Sequence, residues 1–418
     1  MSGKLLLKAM VLGTMAFSIS TIGMAAEVQE ANGLNSAQQT IESDTARKEA
    51  VRSSWMDRTD VVVGVGMKDS KETHSQHHYV GESSNRHDDL NTVTSKSLKS
   101  TEINKLYIET LQPITHYDEN AKSVVFVQGR IGRSGEKISS RALNNYWVPA
   151  RPAGTFITHD KQTDKKESLG MNANIGIGYR RLSKGEHAYV GVNAFYDHVF
   201  KGGYKRVSGG VEYVAGLNEF HANLYRNLGT DDRKYIGLRG RSNVLGDPAG
   251  LYPYGLDSNQ GLFNYGVVSY ENHWMLSEKV AASGFDVGYS RTLKNARWAR
   301  VYADYYNWRG REAVRVGYHK LKKRDAIKGF KVGAEFHITP HLTLDAGYQT
   351  ASHHLSGPYA TLKYTIGTSK FAWHGGKHSE NAITTARSKM LDKVHRSDMV
   401  VQEVEEETYD HGVVDVGL

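Results

Sequence analysis

Residues 169–228 have the strictest pattern in the chain, because apolar side chains occupy every second position of consecutive stretches. The apolar positions of the first two stretches are Ala173, Ile175, Ile177 and Tyr179, and then Ala188, Val190, Val192, Ala194 and Tyr196. Most of the positions between them are polar or glycine, as at Asn174 and Asn193. Period two is typical of a β-strand whose two faces meet different surroundings. The pattern predicts strands of about ten residues with short turns, a length that suits tilted strands crossing a bilayer.

The same alternation recurs on both sides of this segment and predicts about twelve strands. Two strands are expected upstream, around Leu106 and Val125, and the downstream ones at 285–289, 299–305, 314–318, 330–338, 342–348 and 360–366. Two more segments, 234–241 and 265–276, raise the count to fourteen if they form an extra hairpin. We therefore predict an all-β fold, a transmembrane antiparallel β-barrel, with an even strand count as in bacterial barrels.

A soluble β-sandwich is the alternative fold, since its strands also alternate. The polar face of the predicted strands carries charged residues, among them Arg300, Asp304 and Glu335. A dry sandwich core does not accommodate unpaired charges, whereas a water-containing lumen does. The other face is apolar and has no charge at the strand centres, as a lipid-facing wall requires. Both observations favour the barrel.

The start of the chain has the features of a secretory signal peptide. Lys4 begins a positive region, an apolar core runs to Ile22, and small residues that suit cleavage end at Ala26. A membrane anchor is the alternative, but Ser18 and Ser20 interrupt the apolar run. The sequence therefore predicts export, with the mature chain starting near Ala26 or Glu27.

Composition excludes several classes of protein. The 418 residues include no cysteine, which avoids mispaired thiols in an oxidising periplasm. The net charge is +8, but lysine and arginine are spread among turns and polar faces, so no nucleic-acid partner is predicted. The mean hydropathy of −0.53 argues against a helical membrane protein and is compatible with a barrel, which is apolar only at alternate positions.

One stretch resembles a known family. Residues 191–213 read GVNAFYDHVFKGGYKRVSGGVEY, which looks like the barrel segment of the intimin and invasin family, also called inverse autotransporters. A weaker resemblance covers residues 284–399. The resemblance implies a bacterial outer-membrane barrel that carries an adhesive passenger to the cell surface. The partners it implies are outer-membrane lipid and lipopolysaccharide, the barrel-assembly machinery, and a host-cell or bacterial surface receptor.

The C-terminal region resembles the segment that follows the barrel in this family. HRSDMVVQEV, from His395, resembles the family's Arg-Tyr-Asp-hydrophobic motif, with Ser397 in place of the tyrosine. The resemblance implies that this segment returns through the lumen, and residues 382–395 are compatible with a helix. The residues after the barrel are too few for an immunoglobulin-like domain of about 100 residues, so a vestigial passenger is expected.

These observations divide the chain into four predicted parts. The predicted domains are a signal peptide (1–26), a polar periplasmic extension (27–103), an outer-membrane β-barrel (104–368), and a post-barrel helix or linker with a vestigial passenger (369–418). Within the extension, residues 61–67 are compatible with a short strand or a plug-like segment. Residues 133–166 are expected to be a long polar connection.

No catalytic, cofactor-binding or metal-binding residue is assigned, and no cofactor is expected. His74, His77 and His78 lack a carboxylate or thiol at ligand spacing, so a solvated loop is favoured over a metal site. Asp345 and His353 belong to no recognisable catalytic motif. The expected function is anchoring and export of a C-terminal segment, linked to adhesion or virulence. The alternatives are an outer-membrane pore for small solutes and an outer-membrane hydrolase.

Glycines recur on the polar face of the predicted strands. The positions are Gly176, Gly191, Gly210, Gly288, Gly317, Gly333 and Gly347. Glycine weakens a strand interior, and the close approach of another backbone is one reason to keep it. The two interpretations are space for a polypeptide in the lumen and curvature of the barrel.

Overall fold

The protein is almost entirely β-strand in a computed structural model, which describes residues 54–80, 87–118, 120–148, 156–229, 232–236, 241–245, 265–310, 314–316, 319–321, 326–351, 356–367, 373–374 and 386–417. The twenty strands in these residues are β1 (Thr59–Val80), β2 (His87–Pro113), β3 (Ser123–Arg133), β4 (Glu136–Val148), β5 (Phe156–Ser168), β6 (Met171–Leu182), β7 (Ala188–Val199), β8 (Lys205–Ala215), β9 (Asn218–Asn227), β10 (Asp232–Ile236), β11 (Arg241–Leu245), β12 (Tyr265–Ala281), β13 (Gly284–Leu293), β14 (Ala296–Trp308), β15 (Val314–Val316), β16 (His319–Leu321), β17 (Ile327–His337), β18 (Leu342–Gln349), β19 (Gly357–Thr365) and β20 (Val400–Gly417). Two 3₁₀ turns, Met56–Arg58 and Ala386–Lys389, also occur, and no helix in this part of the protein is long and apolar enough to cross a membrane. The predicted signal peptide lies outside the described residues.

Twelve strands form a closed antiparallel ring. The order around the ring is β1, β2, β3, β6, β7, β8, β9, β13, β14, β17, β18 and β19. The seam joins the first strand to the last, where Asp60 of β1 pairs with Thr365 of β19 and Val65 pairs with Ala360. A closed ring leaves no unpaired strand edge in a bilayer, where water is absent. The predicted all-β barrel of about twelve strands is confirmed.

The membership of the ring differs from the prediction at two places. Residues 314–318 were expected in the wall, but within the described residues β15 pairs only with β16, and β14 pairs directly with β17. Conversely, β1 is a wall strand, so the barrel begins at Thr59 and not at residue 104. Valine occupies both faces of β1, as at Val62 and Val63, and this hides the period of two. One strand was wrongly included and one was missed, so the predicted number of wall strands, twelve, is unchanged.

The two faces of the wall have the predicted orientation. Val192, Val301 and Val332 point outward and are 53%, 41% and 47% exposed. The residues between such positions, for example Asn193 and Glu212, are buried in the lumen. The apolar face is therefore available to lipid and the polar face is enclosed.

The two ends of the barrel differ in their connections. At one end, here called the short-turn end, compact turns join neighbouring strands at residues 183–187, 216–217 and 294–295. At the other, here called the long-connection end, β4 and β5 lie between β3 and β6, and β10 to β12 lie between β9 and β13. Outer-membrane barrels have short periplasmic turns and longer extracellular loops.

Strands continue beyond the long-connection end as a second region, here called the outer sheet. Its order is β2, β1, β5, β4, β20 and β12, and the short strands β10 and β11 pair with β12. The 22 residues of β1 span about 70 Å at about 3.3 Å per residue, well over the bilayer core of about 30 Å.

The outer sheet changes three sequence predictions. Residues 133–166 were expected to be a long polar connection, and they contain the hairpin of β4 and β5, which was not predicted. The polar extension predicted at 27–103 includes β1 and much of β2. The segments 234–241 and 265–276 do contain strands, β10 and β12, that pair. They do not join the ring, because β9 pairs with β13, so the count stays at twelve.

Candidate functional site: a segment inside the barrel

The lumen is lined by charged side chains that are paired. Arg180 on β6 and Arg206 on β8 are completely buried. The Arg180 guanidinium donates to the Glu212 carboxylate with an Nη2–Oε2 distance of 3.0 Å, and Arg206 Nε lies 2.9 Å from Asp197 Oδ2. Burying an ion is unfavourable unless it has charged and hydrogen-bonding partners. A charged side chain inside the barrel therefore needs a partner of opposite charge or a hydrogen-bonding partner.

Part of the polypeptide that follows the barrel runs through this lumen. Residues 386–399, here called the lumen segment, begin at the short-turn end, where the Arg387 guanidinium makes two 2.9 Å hydrogen bonds to Glu186. They end at the long-connection end, where the Met399 carbonyl accepts the Glu136 N–H at 3.0 Å. The lumen segment therefore connects the two ends of the barrel.

An apolar cluster surrounds the first half of the lumen segment. Ala386, Met390 and Val394 are buried against the inner wall near the short-turn end. The wall side chains of this cluster are Leu111, Val124, Phe126, Leu182, Tyr189, Phe195 and Val214. Apolar contact removes water from both surfaces and stabilises the packed arrangement. This end of the lumen is consequently filled by side chains.

The wall binds the backbone of the lumen segment at several points. Arg180 donates to the carbonyl oxygens of Met390 and Asp392 at 2.9 and 2.6 Å. Further wall-to-backbone hydrogen bonds join Gln128 to Val394, Asn223 to His395, Asp286 and Tyr225 to Ser397, and Arg206 to Ser397 and Asp398. Hydrogen bonds to main-chain atoms do not depend on side-chain identity. The wall thus binds this extended segment largely through its main chain, and these contacts do not require particular side chains.

Charged side chains of the lumen segment add specific contacts. Arg396 makes two hydrogen bonds to Asp197, at 2.7 and 2.6 Å, in a bidentate arrangement. Asp398 forms ion pairs with Arg130 and, at 3.0 Å, with Lys105. Removing one member of a buried pair typically costs about 3–5 kcal/mol, because the other charge is left without a partner. These pairs fix the position of the segment along the barrel axis.

The lumen segment leaves the barrel beside Gly135. This residue has φ +86°, and a Cβ built on it would overlap the carbonyl oxygen of Met399. Pairing into the outer sheet starts immediately, since the next carbonyl, that of Val400, accepts the Ala282 N–H at 2.8 Å. The exit is therefore a close passage between backbones.

The space over the lumen-facing glycines is occupied by neighbouring wall residues and not by the lumen segment. A Cβ at Gly176 would overlap the Phe195 ring, and one at Gly191 would overlap the Glu212 side chain. Comparable overlaps with wall side chains occur at Gly210, Gly288, Gly333 and Gly347, where a Cβ at Gly347 would also overlap the Val332 carbonyl oxygen, and Gly317 lies outside the described residues. These glycines make room for wall side chains that lean over them, rather than for the backbone of the lumen segment.

The family motif in the C-terminal region correctly marked residues that contact the barrel wall. The helix predicted in the same region was not correct. Arg396, Ser397 and Asp398 of this motif all contact the wall. The helix expected over residues 382–395 is wrong where the structure describes it, because only the 3₁₀ turn Ala386–Lys389 forms. The wall partner Arg206 received no role from the sequence, although its charge on a strand is the signal that would have marked it.

The weaker candidate sites have simpler contacts. The ring of His74 stacks on that of His159, with centroids 5.6 Å apart. In the described residues, no group of three or more histidine, aspartate or glutamate side chains is placed to hold a metal ion. The Asp345 carboxylate accepts a hydrogen bond from the Tyr302 hydroxyl, and His353 lies outside the described residues.

Comparison with known proteins identifies the family. No curated protein matches the sequence. Three solved structures are similar to it. A membrane protein from a study of in-meso crystallization is 13% identical, with a TM-score of 0.44 over 81% of this chain and 99% of its own. The translocator domain of the autotransporter NalP from Neisseria meningitidis is 9% identical, with a TM-score of 0.24 over 78% of this chain and 95% of its own. The beta domain of the Bordetella autotransporter Brka is 10% identical, with a TM-score of 0.21 over 72% and 99%.

TM-scores this low support no inference about function. The family model of the inverse autotransporter β-domain matches residues 157–398, more than half of the sequence. This family is one of outer-membrane translocator barrels and is not a known enzyme family. The protein therefore belongs to the inverse autotransporter family, through a β-domain that forms an outer-membrane barrel.

Proposed function

We propose that this barrel carries the residues that follow β19 through its lumen to the cell surface, where the exported segment serves adhesion. The observation that carries the proposal is the path of residues 386–417. They run through the lumen from the short-turn end and continue as β20 in the outer sheet. A lumen that binds backbone atoms at several points suits a polypeptide better than a small solute.

The proposal includes an orientation and partners. The short-turn end faces the periplasm, and the residues before β1, which starts at that end, form a periplasmic extension. The outer face of the wall contacts lipid and lipopolysaccharide, and the barrel-assembly machinery inserts the ring. The role in adhesion or virulence, with a host-cell or bacterial surface receptor, rests on the resemblance of residues 191–213 to intimins and invasins.

Epitope tags on intact bacterial cells test the export. A tag after Leu418 should bind antibody without permeabilisation, because β20 lies beyond the long-connection end. A matched tag between Lys294 and Asn295, in a turn at the short-turn end, should bind antibody only after the outer membrane is opened. Antibody access to the turn tag but not to the C-terminal tag would reject the proposed direction.

A separate measurement tests adhesion. Cells that express the full-length protein are compared with cells that express a variant lacking residues 400–418, at equal amounts of barrel in the outer membrane. The full-length protein should increase binding of cells to host cells or to one another. Equal binding by the two strains would remove adhesion from the proposal and leave export standing.

A further inference from the structure

The strand β20 fills a gap between two strands that come from different connections. On one side it pairs in parallel with β4, from Val400 opposite Glu136 to Gly412 opposite Val148. On the other side it pairs antiparallel with β12, from Val401 opposite Ala281 to Gly417 opposite Tyr265. The far sides of β4 and β12 are occupied by β5 and by β10 and β11. The two sides that face the gap are therefore paired through β20.

The gap has the geometry and the hydrogen-bonding groups of a site for one extended strand. Neighbouring strands lie about 4.8 Å apart, so β4 and β12 are separated by the width of a single strand. Each presents a row of backbone N–H and C=O groups that must be satisfied. An extended segment with almost any sequence satisfies them, as in other cases of strand addition to a sheet edge.

Charges on one face of this site match charges on β20. Glu403 forms ion pairs with Lys137 of β4, at 3.2 Å, and with Lys279 of β12. Arg141 of β4 lies 2.8 Å from Glu407. Glu405, between these two acidic residues, contacts both Arg141 and Lys279, each at 3.7 Å. Alternate acidic residues therefore meet basic residues from both flanking strands, and this sets the register.

The site begins where the lumen ends. The last residue of the lumen segment, Met399, pairs with Glu136 at the start of β4. The carbonyl of the next residue, Val400, accepts the N–H of Ala282, which directly follows β12. A polypeptide that emerges from the barrel consequently meets both strand edges within one residue of the exit.

We propose that the gap between β4 and β12, here called the receiving site, captures residues 400–417 of the same molecule by strand addition as they leave the lumen. Capture holds the exported segment outside and prevents it from sliding back. The inference rests on the proposed export function. It assigns to the outer sheet an active part in export, in addition to the passage supplied by the barrel.

Engineered thiols test where β20 lies on the living cell. The protein has no native cysteine, so two introduced cysteines report on one contact. Ser277 and Glu405 are directly opposite each other, within the Cα separation that a disulfide spans. Ser277→Cys with Glu405→Cys should form an intramolecular disulfide on intact cells that cannot make disulfides in the periplasm, after addition of an impermeant oxidant. Ser277→Cys with Val404→Cys, whose side chains point to opposite faces, should not.

Charge reversal tests the role in export. Lys137→Glu with Lys279→Glu should slow the appearance of a C-terminal epitope at the surface by about fivefold after pulse labelling, because the four half-buried ion pairs of these lysines, two of them to Glu403, are replaced by repulsion. Adding Glu403→Lys to that variant re-forms the two ion pairs at position 403 and should restore part of the rate, whereas a folding defect unrelated to these charges would not be relieved. The boiled and unboiled mobility of each variant on a detergent gel checks that the barrel is folded.

The outcomes separate the inference from the function on which it rests. Surface exposure of the epitope with no disulfide, or with an unchanged rate after charge reversal, would overturn capture and leave export intact. A disulfide between two copies of the protein would also overturn it, because another molecule would then occupy the site. An epitope that never reaches the surface in the unaltered protein would overturn export and the inference together.

Discussion

Gly135 controls the transition from the barrel to the outer sheet. Its φ of +86° is a conformation that residues with a Cβ rarely adopt, and the Met399 carbonyl occupies the space where a side chain would start. Gly170, near the same end of the barrel, also has positive φ, +59°, but no atom lies within 4 Å of a Cβ built on it. A comparison of the two glycines therefore separates the effect of backbone strain from the effect of contact with the lumen segment.

Substitution at these two positions should have different effects. Gly135→Ala should destabilise docking of the lumen segment by about 1–3 kcal/mol from strain, with the overlap at Met399 in addition. Gly170→Ala should cost about 1 kcal/mol and leave the segment in place. Limited proteolysis of purified protein should cleave β20 faster in the first variant only. Equal cleavage in both would show that Met399 does not pack against Gly135.

Single residues of the lumen were only half predictable from the sequence. The alternation places Arg180 and Asp197 on the inner face, and this is correct. Their partners, Glu212 and Arg396, were not predicted, because pairing depends on strand register and on the path of a segment distant in sequence. A period of two shows which face of the strand a residue occupies. It does not show which residue lies opposite it on the neighbouring strand.

The same limit applies to whole strands. Alternation identified eleven of the twelve wall strands, because in most of them one face is apolar and the other is largely polar or glycine. It missed β1, in which valine lies on both faces, and it included residues 314–318, which alternate but pair as a small hairpin. The hairpin of β4 and β5 was also missed, since both strands are polar and their faces do not differ in hydropathy. Alternation in the sequence therefore marks a strand most clearly where its two faces meet different surroundings, such as lipid and the lumen.

The attachment of β20 should depend on pH. Burial raises the pKa of Glu403, but hydrogen bonding and charge from Lys279 and Lys137 lower it more, so its pKa is below the ordinary value. The hydrogen bond to Glu403 raises the pKa of Lys279. Glu403 therefore contributes stability above its unfolded pKa of about 4.3, and this contribution is lost as pH falls through the lower pKa of the folded protein.

Amide hydrogen exchange of β20 between pH 7 and pH 3, corrected for intrinsic rates, measures this dependence. Protection of residues 400–408 should fall below about pH 4 in the unaltered protein. Glu403→Gln should lower protection at pH 7 and reduce its change with pH, because the titrating group is gone. An identical pH profile in the variant would exclude Glu403 as a cause.

At the scale of the molecule, the lumen segment decides whether the barrel is open. Deleting residues 371–418 removes the lumen segment, including Ala386, Met390 and Val394 of the apolar cluster and the charged residues Arg396 and Asp398, while the ring of twelve strands keeps every pairing. The truncated barrel should show a large, steady conductance in a planar bilayer, and the full-length protein a small one. Deleting only residues 400–418 leaves the lumen segment and should keep the conductance small. Equal conductance of all three proteins would place the segment outside the lumen.

The seam between β1 and β19 has a consequence for the order of folding. The Thr365 hydroxyl donates to Asp60 at 2.8 Å, and the two residues are 305 positions apart in the sequence. Such distant pairings form slowly, because most of the polypeptide must be arranged before they become favourable. Asp60 is also the ion-pair partner of Lys393, which lies in the lumen segment. One carboxylate thus contacts both the last strand of the ring and the lumen segment, so closure of the ring and binding of the segment are energetically coupled.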